Sequence, residues 1–153
     1  MRRAFVFLIL STSLLLAISA SAATGKVMKV LPLFLDVKGK ESLTPSLYDR
    51  DAYQAELRKN PQQRSGIRYD VQWRARGASG KVKLRLELRG IAQGNLPRQK
   101  TIEVDADPGG GSSRWNGLAL TGEDYKTFGE VTAWRVTLWD GDTQIGEQKS
   151  FLW

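Results

Sequence analysis

The sequence has 153 residues, carries 23 Lys and Arg against 16 Asp and Glu, and contains neither cysteine nor histidine. Without these two residue types, disulfides, Ser-His-Asp and Cys-His catalytic systems and the usual zinc, copper and non-haem iron sites are excluded. The sequence also has no nucleophile motif and no glycine-rich motif for a phosphate or dinucleotide. We therefore expect no catalytic residue, no metal site and no cofactor.

Residues 1–22 have the pattern of a secretory signal peptide. Arg2 and Arg3 precede an apolar stretch, residues 4–18, and a small-residue exit, residues 20–22. The apolar stretch is short for a membrane span, although an uncleaved anchor is the alternative interpretation. Cleavage after Ala22 would leave 131 residues with 21 basic and 16 acidic side chains, a net charge of +5. We expect one domain, exported to the periplasm or cell surface, with no further membrane span.

A strand and a short helix are the first elements expected after the leader and a short segment at residues 23–25. Residues 26–37 are almost continuously apolar, and Pro32 has no N–H for a strand ladder, which predicts an edge strand broken at that point. Ser46 has the character of an N-cap, and Pro61 marks the end of the helical pattern. The sequence therefore predicts a helical insertion at about residues 47–59.

From Ile67 onward the hydrophobic pattern has a period of two. Apolar and charged residues alternate over residues 67–76 and 82–89, which is typical of half-buried antiparallel strands. Shorter strands are expected at 101–106 and 114–120, loops at 90–97 and 107–113, and a turn-rich corner at 121–129. Asp140-Gly141-Asp142 predicts a final hairpin, and we expect its second strand to hold the apolar residues 151–153 within the sheet.

Together these elements predict an all-β fold, an antiparallel β-sandwich of about seven strands over residues 26–153 with one short helix in the first long connection. Trp73 inside an early strand, Tyr125 shortly before a late strand and the final hairpin resemble immunoglobulin-like and fibronectin type III-like domains of exported bacterial proteins. The cysteine pair of antibody domains is missing. The resemblance implies a sandwich and carries no chemistry of its own.

The first candidate site is a set of cations on the polar side of residues 68–89. If the two strands pair as a hairpin, these cations form one surface for a polyanion or an anionic surface; if the strands lie in different sheets, the set is divided. An ordinary solvated sheet face is the alternative interpretation. The residues are Arg68, Arg74, Arg76, Lys81, Lys83, Arg85 and Arg89.

The second candidate site consists of tryptophans. Trp73 and Trp134 are in phase with the apolar residues of their strands and are expected to be buried. Trp115, Trp139 and Trp153 are candidates for stacking on sugar rings, and packing at the ends of the sandwich is the alternative interpretation. A third pattern, carboxylates at residues 105, 107, 140 and 142, suits calcium less well than the turn chemistry that also explains it.

The sequence therefore favours a non-catalytic exported module with a binding or structural role. The expected partner is an envelope protein that pairs with the edge strand near Pro32, or an anionic polymer or surface. The alternative is a carbohydrate-binding module that uses its exposed tryptophans, and an enzyme is the third hypothesis. Nucleic acid is disfavoured because aromatic residues are not interleaved among the cations.

Overall fold

The structure is a computed structural model and describes residues 22–153. The predicted signal peptide therefore lies outside the described residues, apart from Ala22. Among the residues described, no helix is both long and apolar enough to cross a membrane.

Seven strands and two α-helices follow one another along residues 22–153. Helix α1, Leu47–Lys59, connects β1 to β2, and helix α2, Gly122–Phe128, connects β5 to β6. The strands are β1 Thr24–Asp36, β2 Arg64–Arg76, β3 Val82–Ala92, β4 Leu96–Ala106, β5 Arg114–Thr121, β6 Glu130–Asp140 and β7 Thr143–Lys149.

The strands form two antiparallel sheets that pack face to face. Sheet A has the order β1-β2-β5, and sheet B has the order β4-β3-β6-β7. The predicted antiparallel sandwich of seven strands is confirmed, and so is the helix in its first long connection. Because β2 and β3 lie in different sheets, the two strongly alternating segments do not pair with each other.

The core lies between the sheets, as the alternation predicts. Trp73 is completely buried there, and its indole N–H donates to Asn116 Oδ1 at 2.8 Å, so the one polar atom of the ring has a partner. The apolar residues of both sheets supply the rest of this layer, among them Val71, Ile67, Val82, Leu84, Leu86, Leu88, Val136 and Leu138.

Strand β1 differs from its prediction in being continuous through Pro32, which pairs with Tyr69, and in beginning at Thr24. The N–H of Phe34, two residues further on, points to the open edge of β1, so position 32 also faces that edge and the missing N–H of Pro32 removes no bond to β2. The register shifts instead at two other places, at Met28 between Val27 and Lys29, and between Leu35 and Asp36. The bulge at Met28 places Lys29 on the same outer face as Lys26.

Two predicted loops are wrong. Residues 90–97 belong to a tight β3–β4 hairpin, because Gly94 and Asn95 both adopt positive φ and reverse the chain in three residues. The predicted corner at 121–129 contains α2, whose first turn carries Glu123 and Asp124. Acidic side chains there interact favourably with the helix dipole.

The expectation that residues 151–153 lie in the last strand is also wrong. The β6–β7 pairing ends at Arg135 and Lys149, and the chain then turns. Ser150 holds this turn, since its N–H donates to the Trp134 carbonyl at 2.9 Å and its hydroxyl accepts the Trp134 N–H at 3.0 Å. As a result Phe151 is fully exposed and Leu152 is 70% exposed.

Helix α1 covers the second half of β1. Ser46 caps its first turn as predicted, by accepting the Asp49 N–H at 3.3 Å. Leu57 of the helix is buried together with Leu33 and Leu35, which lie on the outer face of sheet A and outside the main core. Burial of each of these side chains stabilises the docked helix by about 1.5–3 kcal/mol.

Gln54 joins α1 to the open edge of β1. Its side-chain oxygen accepts the Phe34 N–H at 2.8 Å, and its amide nitrogen donates to the Phe34 carbonyl at 2.8 Å and to the Glu41 carbonyl at 2.9 Å. The side chain is 1% exposed. One amide therefore satisfies the backbone groups that an edge strand would otherwise present to another chain.

The two sheets approach closely where β1 begins. A Cβ atom on Gly25 would lie 2.8 Å from Ile145 Cγ1, and one on Gly146 would lie 3.0 Å from the Gly25 carbonyl oxygen. Only glycine leaves room for this contact between β1 and β7. The sandwich is therefore closed along this side at one end.

The contacts of Gln54 predict a large effect of truncation. Gln54→Ala leaves two carbonyls and one N–H without their partner, and we expect the free energy of unfolding to fall by about 2–4 kcal/mol. Urea denaturation measures the change, with Gln62→Ala, an exposed glutamine, as the matched control expected to cost less than about 0.5 kcal/mol. Equal stabilities of the two variants would contradict this role of Gln54.

Candidate functional site

The seven cations predicted as one site lie in three places. Sheet A carries Arg68, Arg74 and Arg76 on β2, while sheet B carries Lys83, Arg85 and Arg89 on β3, and Lys81 lies in the loop between these strands. The outer faces of two packed sheets point in opposite directions. The structure therefore has the divided arrangement, with two separate charged faces.

On sheet B, acidic neighbours compensate most of the cations. Glu103 forms ion pairs with Arg85 at 2.7 Å and with Lys83 at 3.1 Å, and Arg135 pairs with Glu87 at 2.8 Å and with Glu147 at 3.9 Å. Hydrogen bonds from Arg85 and then Lys83 hold the pKa of Glu103 below its usual value. These are cross-strand pairs of opposite charge, which contribute to the stability of the sheet.

Two of the three candidate tryptophans, Trp139 and Trp153, already have arginine side chains stacked on their rings on sheet B. The guanidinium of Arg85 lies 4.8 Å from the centre of the Trp139 ring, and the indole N–H donates to Thr137 Oγ1 at 2.8 Å. The Trp153 ring has Arg89 at 4.0 Å and Arg135 at 4.9 Å. These cation–π contacts account for both rings as packing elements of sheet B.

Sheet A carries cations of a different kind. Lys26 pairs in register with Arg74, Lys29 pairs with Gln72, and Arg76 lies two residues beyond Arg74 on the same face. None of these four cations forms an ion pair with any carboxylate in residues 22–153. Their charge is therefore not cancelled locally, and it attracts anions to this surface.

Glycine residues beside this surface make room for arginine side chains. A Cβ atom on Gly111 would lie 2.9 Å from Arg76 Cγ, and one on Gly109 would collide with the guanidinium of Arg114. Lys26, Arg74 and Arg76 also line a shallow depression of about 190 Å³ together with Thr24 and Gly25. The depression is large enough for one carboxylate, sulfate or phosphate group.

Trp115 is the candidate tryptophan that remains available. It pairs in register with Gln72, so its ring lies on the outer face of sheet A in the same row as Lys29. It is 51% exposed, and its indole N–H has no hydrogen-bond partner in the described part of the chain. We call the surface formed by Lys26, Lys29, Arg74, Arg76 and Trp115 the basic face.

The basic face ends at a cluster of one cation and two carboxylates. Arg68, one of the predicted cations, forms ion pairs with Asp70 at 2.7 Å and Glu41 at 3.1 Å. The hydrogen bonds from Arg68 to Asp70, more than the one to Glu41, raise the pKa of the guanidinium. Because two carboxylates compensate the charge of Arg68, this residue lies at the boundary of the basic face and is not counted as part of it.

Sequence reasoning missed Lys26 and Lys29, because residues 26–37 look like a buried apolar strand. The two lysines do alternate with the core residues Val27 and Val30, but the bulge at Met28 interrupts the period of two. A pattern of one extra residue between two inward-facing valines was the available signal. These lysines supply half of the unpaired cations of the basic face.

Asp105, Asp107, Asp140 and Asp142 do not converge: residues 22–153 contain no cluster of three or more Asp, Glu, His or Cys side chains that could hold a metal ion. Comparisons of the chain with protein-family models, with curated proteins and with solved structures found no match. The resemblance to immunoglobulin-like and fibronectin type III-like families therefore stays a prediction.

The environment of Trp115 predicts a charge-selective response to fluorescence quenchers. At low ionic strength, iodide should quench this exposed ring more strongly than caesium, because the nearby cations concentrate anions. Trp115→Phe should remove most of the difference between the two quenchers, and the control Trp139→Phe should leave it intact. A difference that survives Trp115→Phe would show that the cations do not act at this ring.

Proposed function

We propose that this chain is a non-catalytic binding module, exported to the periplasm or cell surface, that binds an acidic polysaccharide on the basic face. The observation that supports it most strongly is the combination of four cations without carboxylate partners and one exposed tryptophan on a single sheet face. The leader-like pattern of residues 1–22 supports export. The missing histidine and cysteine support the absence of catalysis.

The chemistry of both residue types matches such a polymer. The apolar face of a pyranose ring stacks on an indole, and a carboxylate or sulfate accepts hydrogen bonds from guanidinium and ammonium groups. Arg74 and Arg76 are two residues apart on one strand, so their Cα atoms are about 7 Å apart. Arg74 lies diagonally next to Trp115, again about 7–8 Å away. When one sugar ring stacks on Trp115, the cations of the basic face are therefore within reach of the acidic groups on the neighbouring sugars.

Two observations disfavour other partners. Strand addition at the second half of β1, the route expected for an envelope protein, is blocked where Gln54 occupies the backbone groups of Phe34. Single-stranded nucleic acid is usually held on several successive aromatic side chains, whereas the basic face has one exposed ring. A repeating acidic sugar needs only one stacking position and a row of cations.

Binding of an oligogalacturonate octamer tests the proposal. Arg74→Ser/Arg76→Ser should weaken its affinity at low salt by about thirty- to a thousandfold, since each variant residue removes a charge-assisted hydrogen bond worth about 1–2 kcal/mol. The matched control is Arg98→Ser/Lys149→Ser on sheet B, which removes the same charge from exposed positions and should change affinity less than threefold. Isothermal titration calorimetry at low and at high salt measures both.

Trp115→Ala separates a polysaccharide from any other polyanion. The loss of stacking should lower the affinity for the octamer by about tenfold and leave the affinity for inorganic polyphosphate nearly unchanged. Equal losses with the sheet A and sheet B double variants would contradict the basic face as the site. Tight polyphosphate binding without octamer binding would contradict the polysaccharide.

A further inference from the structure

A groove enters the sandwich at the end opposite the contact between Gly25 and Gly146. It lies between the second half of β1, the start of β2, the start of β6 and helix α2, and has a volume of about 870 Å³. Ligand sites in proteins usually measure about 300–1,000 Å³. The basic face does not contribute to it, so the groove is a separate feature of the molecule.

The groove exists because sheet B is incomplete on this side. Strand β7 pairs with residues 135–140 of β6 only, so residues 130–134 have no partner strand on that edge within the described chain. The facing strand, β1, stays paired to β2 along its length. The two sheets therefore separate here, while the small residues at positions 25 and 146 hold them together at the other end.

The walls are mainly apolar and aromatic. Phe34, Ile67, Tyr69, Val131 and Trp134 all line the groove. The Tyr69 and Trp134 rings are tilted by 60° with their centres 6.3 Å apart, an arrangement typical of packed aromatic pairs. An apolar ligand in the groove would bury its own surface against these walls.

Three hydrogen-bond donors on these walls are unused. The hydroxyls of Tyr69 and Tyr125 and the indole N–H of Trp134 have no hydrogen-bond partner within residues 22–153. Tyr69 is 1% exposed, and burial raises the pKa of its hydroxyl, which therefore stays a donor at neutral pH. The hydroxyl oxygen is not fully enclosed by protein atoms, so a ligand in the groove can accept its hydrogen bond.

The mouth of the groove is positively charged. Arg58, Arg64 and Lys126 line it against one acidic residue, Glu130. Arg64 is fixed there, because it lies 4.0 Å over the Phe34 ring and donates to the carbonyls of Leu57 and Arg58 at the end of α1. Lys126 pairs with Glu123 at 2.8 Å. Neither Arg58 nor Arg64 forms an ion pair within residues 22–153, but Arg64 already donates to two carbonyls, so Arg58 is the cation most available to a ligand.

We propose that the inter-sheet groove is a second binding site, which takes a single amphipathic anion with an elongated apolar body and one carboxylate, the chemistry of a free long-chain fatty acid. The apolar body lies along Phe34, Ile67, Val131 and Trp134. The carboxylate lies at the mouth beside Arg58 and accepts a hydrogen bond from one of the unused donors. The charge at the mouth selects an anion over a cation of the same length.

Titration with laurate, followed by tryptophan fluorescence, tests this site. Laurate should change the emission of Trp134, and dodecyltrimethylammonium, a cation of the same chain length, should bind at least tenfold more weakly. Arg58→Glu should lower the affinity for laurate at least fivefold. Lys59→Glu, at the neighbouring residue outside the groove, should change that affinity less than twofold. Trp134→Phe should remove the signal while calorimetry still detects binding.

Two further variants examine the interior. Tyr69→Phe keeps the ring and removes the unused hydroxyl, and should weaken laurate three- to tenfold. Val131→Trp fills the groove and should abolish binding; if this variant is unfolded by circular dichroism, the Arg58 and Lys59 pair decides. Equal binding of anion and cation, equal effects of Arg58→Glu and Lys59→Glu, or binding only to anionic lipid vesicles would overturn the proposal.

Discussion

The amide of Gln54 fixes how much of sheet A remains exposed. Because this side chain bonds the backbone of Phe34 and Glu41, helix α1 lies against the second half of β1 and covers Leu33 and Leu35. The first half of β1 stays uncovered and presents Lys26 and Lys29. By holding α1 in place, a single buried amide thus determines which half of β1 is covered and which half contributes to the basic face.

The two outer faces show how similar compositions produce different surfaces. Both sheets alternate apolar and charged residues, but on sheet B Glu87, Glu103 and Glu147 lie among the cations of neighbouring strands. On sheet A the strand next to β2 on one side is β5, whose outward residues Trp115, Gly117 and Ala119 are all uncharged. Charge compensation therefore depends on which strands become neighbours, and this decides which cations are available for a ligand.

Strand β1 also relates the two proposed sites. Its start, at Thr24 and Lys26, lines the depression of the basic face, and Pro32 and Phe34 near its end line the inter-sheet groove. About eight residues of extended strand separate them, or roughly 25 Å. The sites lie on opposite sides of sheet A, one on its outer surface and one towards the core, so occupation of one does not block the other.

Patterns of local sequence were enough to predict the sandwich, α1 with its Ser46 cap and the hairpin at Gly141. They failed where tertiary contacts decide: α2 forms at a position that looks like a turn, and Ser150 ends β7 before Phe151. For the site, the alternation in β2 pointed to Arg74 and Arg76, and composition pointed to Trp115. The contribution of Lys26 and Lys29 was missed, since it depends on the pairing of β1 with β2 and on a bulge whose one signal in the sequence is the spacing of Val27 and Val30.

A map of backbone amide chemical shifts during titration with an oligogalacturonate octamer tests the central claim, that sheet A carries the ligand on its outer face. We expect the largest shifts at Lys29, at residues 72–76 and at Trp115, including its indole N–H, with little change on sheet B. Shifts concentrated at residues 83–89 and 135–139, or at Tyr69 and Trp134 in the groove, would contradict it.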